Sequence, residues 1–149
     1  MSNIEHFPLM LAGSNKRNEH HIEVRSPYDD HLIATVETAE LQDVNQALGT
    51  AQGLFSDRQQ WLSVAERIAI LERAVGLMEA EADSLAKGSA EEGGKPLLDS
   101  QVEMVRCIDS IRLCADTLRH DVATPVPMAL NTASQHRFTI MNKEPIGVV

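Results

Sequence analysis

The chain has 149 residues, the length of one domain, and 13 basic against 22 acidic residues set its net charge at −9, which argues against a nucleic-acid backbone or an anionic membrane as partner. No stretch approaches the roughly 18 consecutive apolar residues of a membrane span. Glu5 and His6 stand ahead of the short apolar run Phe7 to Ala12, unlike the basic leader of a signal peptide.

Phe7 to Ala12 is expected to form a first strand, ended by turn chemistry at Gly13-Ser14-Asn15. Ile22 and Val24 alternate with polar neighbours, Ser26-Pro27-Tyr28-Asp29-Asp30 has the composition of a turn, and Leu32 to Thr38 alternates again, so a β-hairpin is predicted. From Leu41 the period lengthens: Leu41, Val44, Leu48, Ala51 and Phe55 recur at helical spacing, with Thr38 the expected N-cap. Ser63 and Glu66 have the spacing of a capping box. They predict a long helix with the stripe Ile68, Leu71, Val75, Met78, Ala82 and Leu85, stopped at Gly93-Gly94-Lys95-Pro96.

Ser100 and Glu103 repeat the box spacing and predict another helix to about His120, with Met104, Cys107, Ile108, Ile111, Cys114 and Leu118 on its apolar side. Pro125 and Pro127 mark a connector, and Arg137 to Lys143 alternates as a strand. After Pro145, the run Ile146-Gly147-Val148-Val149 has the β-branched character of a strand covered on both faces. Such a strand needs neighbours. Either these residues open a sheet completed from elsewhere, or they are a frayed terminus.

Candidate chemistry is sparse. Gly88-Ser89-Ala90-Glu91-Glu92-Gly93-Gly94-Lys95-Pro96 resembles a phosphate loop, but the glycine spacing is off by one and Pro96 stands where a magnesium-holding hydroxyl belongs. The segment reads instead as a helix stop and tight turn. Cys107 and Cys114 lie seven residues apart on one helix, about 10.5 Å along its axis, too far for a disulfide; they are expected to be reduced core thiols of a cytoplasmic protein. Neither has a neighbouring group in sequence that would activate a thiolate.

His6, His20, His21, His31, His120 and His136 show no metal-ligand spacing and are expected to be solvated loop residues. Gly49 and Gly53 suggest a close helix contact. Glu91, Glu92, Asp99 and Glu103 suggest a solvated acidic surface. No active site emerges from these residues.

The order of elements and several strings together resemble the N-terminal part of the aldehyde dehydrogenase superfamily, over nearly the whole chain. The strings are Ser26-Pro27-Tyr28-Asp29 before a strand, the Ala-rich helix ending at Leu54-Phe55, Trp61 ahead of Glu66-Arg67, and Leu71 to Met78. Glu92-Gly93-Gly94-Lys95-Pro96-Leu97 and Glu144-Pro145-Ile146-Gly147-Val148 complete the series.

The resemblance implies an incomplete α/β fold: N-terminal strands and a hairpin, three to four helices, an antiparallel arm strand, and the first residues of a dinucleotide-binding strand. Residues 1–123 would be the outer part of a cofactor-binding domain, 124–144 an oligomerisation arm, and 145–149 the start of the dinucleotide-binding sheet. The family oxidises aldehydes to carboxylic acids with NAD or NADP, through a cysteine thiolate, an oxyanion-hole asparagine and a glutamate base. In the family these positions follow the segment resembling Glu144 to Val149. No catalytic, cofactor-binding or metal-binding residue is therefore assigned here, and a structural cation near Glu92 is left open.

The expectation is an N-terminal fragment, inactive and binding no cofactor alone. The alternatives are an assembly-modulating protein that forms a homo- or hetero-oligomer through 126–143, or one half of a split enzyme.

Overall fold

A computed structural model describes residues 4–149. The first strands among the described residues are β1 (Glu5–Phe7) and β2 (Leu9–Leu11), two short strands in place of the single strand expected over Phe7 to Ala12. Pro8 separates them, because it has no N–H to continue a ladder. The two-residue turn Ala12-Gly13, both at positive φ (50° and 80°), folds β2 back on β3 (Ser14–Lys16), the backbone twist that suits a two-residue hairpin. Ser14 and Asn15, expected in the turn, are therefore strand residues.

β4 (His21–Arg25) and β5 (Leu32–Glu37) form the predicted antiparallel hairpin, with His21 opposite Glu37 and a register shift between Val24 and Arg25. β1 adds to β5 in parallel, Glu5 opposite Ala34, so β5 is the centre of a three-stranded sheet ordered β1-β5-β4.

The helices follow as α1 (Leu41–Ser56), a single 3₁₀ turn at Arg58–Gln60, α2 (Val64–Ala80), α3 (Ala82–Gly93) and α4 (Leu97–His120). Ser63 and Glu66 make the capping box anticipated for α2: the Ser63 hydroxyl accepts from the Glu66 amide (3.2 Å) and the Glu66 carboxylate from the Ser63 amide (2.8 Å). The long helix expected to run to Gly93 is divided at Glu81, which caps both α2 and α3. There the Ser84 hydroxyl donates to the Glu81 carbonyl (2.8 Å), a local bond that competes with helix continuity.

α2 and α3 run antiparallel to α4. Glu72 meets Arg119 and Glu79 meets Arg112, and further along Ala82 and Ala86 line one cleft together with Gln101 and Val105. Val75, Ala86, Ile108 and Ala115 are buried in this layer.

Four expectations fail in the helices. Thr38 does not cap α1; its hydroxyl donates to the His20 carbonyl, and Glu40 is the N-cap. Ser100 does not cap α4, which starts after Pro96; it lies inside the helix, 1% exposed. Cys107 and Cys114 are exposed, since the packed stripe of α4 runs through Ser100, Ile108 and Ala115 and Cys107 is turned about 100° from Ile108. Gly49 and Gly53 face open space and mediate no helix contact.

The connector expected around Pro125 is strand β6 (Thr124–Val126), paired antiparallel with β7 (Thr139–Met141), a shorter strand than the expected Arg137 to Lys143. Ile146 to Val149 pair with no described strand.

The core is small for the chain. Leu11 and Ala34 join the four helical residues as its fully buried apolar members. The accessible surface is 11658 Å² for 16.4 kDa, whereas a compact monomer of that mass exposes about 7,500 Å².

Candidate functional site

The strings that carry the family resemblance, dispersed in sequence, converge at two places. At the first, the β4–β5 turn meets the end of α3. Gly94 ends α3 with φ of 61°, in the left-handed region glycine enters freely. A Cβ there would stand 2.6 Å from Pro27 Cγ, so the turn rests directly on the glycine backbone. The phosphate-loop look-alike is thus a helix stop, as read, and the space beside Gly94 is filled by a proline ring.

Beside this contact lies a cleft of about 370 Å³ lined by residues that include Tyr28, Asp29, His31, Lys87, Glu91 and Lys95. His31, expected to be simply solvated, bridges it: Nδ1 is 2.5 Å from Asp29 Oδ1 and Nε2 is 2.8 Å from Glu91 Oε1. Asp29 first, then Glu91, raises the His31 pKa above its ordinary value, and the imidazole in turn lowers that of Asp29. Glu91 and Glu103 of the acidic group are both engaged, Glu103 by Lys95. No motif spacing could have announced a His31–Glu91 contact across 60 residues.

The second convergence is around Trp61. Its indole N–H donates to the Phe55 carbonyl (3.0 Å), its ring stacks on Phe55 at 5.8 Å, and the Arg58 guanidinium lies 5.1 Å from its centroid. Arg58 also pairs with Glu144 at 2.8 Å. A cleft of about 570 Å³ opens here, walled by residues from the end of α1, the start of α2 and the segment Asn142 to Pro145.

A polar cluster anchors the sheet to α1. Asp43 is 1% exposed and accepts from Lys16 Nζ (2.5 Å), the Asn18 side-chain amide (2.8 Å) and the Glu40 backbone amide (3.0 Å). Lys16 first, then those amides, brings its pKa down to about 2. Buried Glu37 accepts from the Asn18 backbone amide and lies 2.9 Å from His6 Nε2, which lowers its pKa as well. These carboxylates are fully engaged in structure. A cluster of this kind is paired and hydrogen-bonded, as buried charge must be.

The remaining histidines form no constellation: His20 and His21 are exposed at the start of β4, His120 Nδ1 lies 2.8 Å from the Asp116 carbonyl, and His136 sits in a turn at φ 67°. Among the described residues no group of three His, Cys, Asp or Glu side chains could hold a metal ion. None of their helices is long and apolar enough to cross a membrane.

The Gly93-Gly94-Lys95 loop does not fit the phosphates of a dinucleotide. The close approach at Gly94 is taken by Pro27, Lys95 is held by Glu103, and the loop follows a helix, where a phosphate cradle needs a strand leading into a helix N-terminus. Cys107 and Cys114 are free and exposed on α4, and neither lines either cleft.

The family model described as aldehyde dehydrogenase family matches residues 14–149. An aldehyde-dehydrogenase-like protein of Sinorhizobium fredii is 30% identical over 129 residues, 86% of this chain and 25% of that protein. Among solved structures, aldehyde dehydrogenase 21 of Physcomitrella patens, in complex with the reaction product succinate, superimposes with a TM-score of 0.81 at 21% identity, over 89% of this chain and 28% of that one. An NAD-dependent aldehyde dehydrogenase of Sinorhizobium meliloti gives 0.74 at 23% identity, over 83% and 26%. The chain therefore spans about a quarter of the length of each, and the solved structures share its fold.

Proposed function

Because this chain belongs to the aldehyde dehydrogenase family, we propose that it forms the front framework of an NAD(P)-dependent aldehyde dehydrogenase and does not by itself turn over an aldehyde. The carrying observation is surface. The chain exposes about half as much again as a compact monomer of its mass, and much of it is apolar: Leu98, Val105, Leu113, Phe138 and Ile146 are all exposed. Large apolar exposure of this extent supports a surface that other protein covers.

In this reading residues 1–123 wrap the cofactor domain, 124–144 are the arm, and 145–149 enter the dinucleotide-binding sheet. NAD or NADP is held by family positions outside these segments. Two free cysteines suit a reducing cytoplasmic setting. The test is NAD- and NADP-linked oxidation of a panel of aldehydes by the purified 149-residue chain. Turnover dependent on aldehyde and cofactor would refute the proposal.

A second reading is favoured by β6 and β7. They form a two-stranded ribbon with exposed residues and open edges, a structure that is marginal alone and gains from strand addition by another chain. Residues 126–143 would then pair with a full-length relative, or with a second copy, and modulate its assembly. Co-expression with such a relative and size-exclusion chromatography tests this. Failure to co-elute counts against it.

A further inference from the structure

Two carboxylates bracket one imidazole at the junction of the sheet and the helices. Asp29 Oδ1 is 2.5 Å from His31 Nδ1, and Glu91 Oε1 is 2.8 Å from Nε2. A carboxylate only accepts hydrogen bonds, and a neutral imidazole has a single N–H, so both contacts are satisfied together only by the imidazolium. The location gives this a consequence. Among the described residues, the His31–Glu91 bond is the one side-chain hydrogen bond that ties the β1–β5 segment to the α2–α4 layer; the other side-chain bonds from that segment to a helix, those of Lys16 and Asn18, end on Asp43 of α1. Beneath it lies the fitted contact of Pro27 on Gly94.

We propose that His31 is a proton-operated latch between the β4–β5 turn and the end of α3, closed on both sides as the imidazolium and held on one side only when neutral. The charged groups around it are consistent with this. Its own turn contributes Asp29 and Asp30, the latter drawn toward Arg25 of β4, which also pairs with Glu23. α3 presents Glu91 and Lys87, and the α3–α4 turn presents Lys95, whose charge is directed to Glu103. The two anions contact the ring directly and neither lysine does.

The raised pKa of His31 sets the sign: the latch is fully closed below the ordinary histidine value and is lost as pH rises through the folded value. Because His31, Asp29 and Glu91 are each about half exposed, the effect is a local loosening and not unfolding.

The test is nitrogen-15 NMR of the histidine-labelled chain with amide hydrogen exchange across pH 5 to 9. His31 is expected to titrate above the ordinary histidine value of about 6.5 with both ring nitrogens protonated below its midpoint. Through that midpoint, protection factors of the Ser26, Asp30 and Lys95 amides, which bond within the two joined segments, are expected to fall about twofold to fivefold while those of Val75 and Ile108 hold. Glu91→Gln keeps the shape and should lower the midpoint; His31→Ala should abolish the pH dependence at the three amides. A midpoint at or below the ordinary value overturns the latch, as does unchanged protection through the titration.

Discussion

Replacing Gly94 with alanine tests the junction most directly. Alanine must adopt a φ of 61°, which costs a residue with a Cβ about 1–2 kcal/mol, and its methyl would lie 2.6 Å from Pro27 Cγ. A proline ring carbon cannot swing aside as the tip of a lysine can, so the turn or the helix end shifts, an overpacking cost of about 1–3 kcal/mol. The sum is a local destabilisation of about 2–5 kcal/mol. At 1.4 kcal/mol per decade, opening of the junction becomes at least about 30 times more frequent.

Native-state hydrogen exchange reads this at Ser26, Asp30 and Lys95, whose amides bond within the two joined segments. Gly93→Ala is the matched control: it sits within α3, and its Cβ would meet only the Lys95 side chain, at 3.7 Å. That change should be neutral or favourable by up to about 1 kcal/mol through helix propensity. Equal behaviour of the two variants would refute the argument from Pro27 and from φ together.

Three further outcomes are expected. Ser100→Ala should raise stability by about 1–2 kcal/mol in urea denaturation, because the hydroxyl is buried without a partner in the interior of α4 and alanine is the better helix former; a loss of stability would reveal a bond to that hydroxyl. Asp43 should titrate near pH 2 by carboxyl carbon NMR. Its folded pKa lies below the unfolded value of 3.8, so the tie from Lys16 to α1 is complete above about pH 4 and is lost as pH falls through about 2; a midpoint near 4 would contradict the buried pair. Cys107 and Cys114 should both react with a thiol reagent in the native chain without denaturant, since both are exposed; two slow thiols would restore the core assignment.

Much of the local structure was legible because it obeys rules of short range. The Ser63–Glu66 box, the stop at Gly93-Gly94 and the hairpin of Ile22 to Thr38 each depend on residues a few positions apart. Ser100–Glu103 has the same spacing as Ser63–Glu66 and yet lies mid-helix, because α4 had already started after Pro96 and a box is only a box at a free N-terminus. Thr38 was the better cap by residue type, but its backbone and hydroxyl are bonded to the His20 carbonyl across the hairpin, and the helix starts only after Glu40.

By itself the sequence determined the family, through strings whose order and separation persist when identity falls to 30%, and the periods that distinguish strand from helix. Tertiary structure alone decided which side of each helix is covered. α4 turns Ile108 and Ala115 toward α2 and α3 and leaves Cys107 and Cys114 outside, while the apolar stripe of α1 stays largely open at Leu41, Val44 and Leu48. It also brought His31 to Glu91, and Pro27 onto Gly94. Periodicity states that a face is apolar; burial depends on what stands opposite, and the partners of His31 and Gly94 are set by chain segments some 60 residues away, beyond the reach of any local rule.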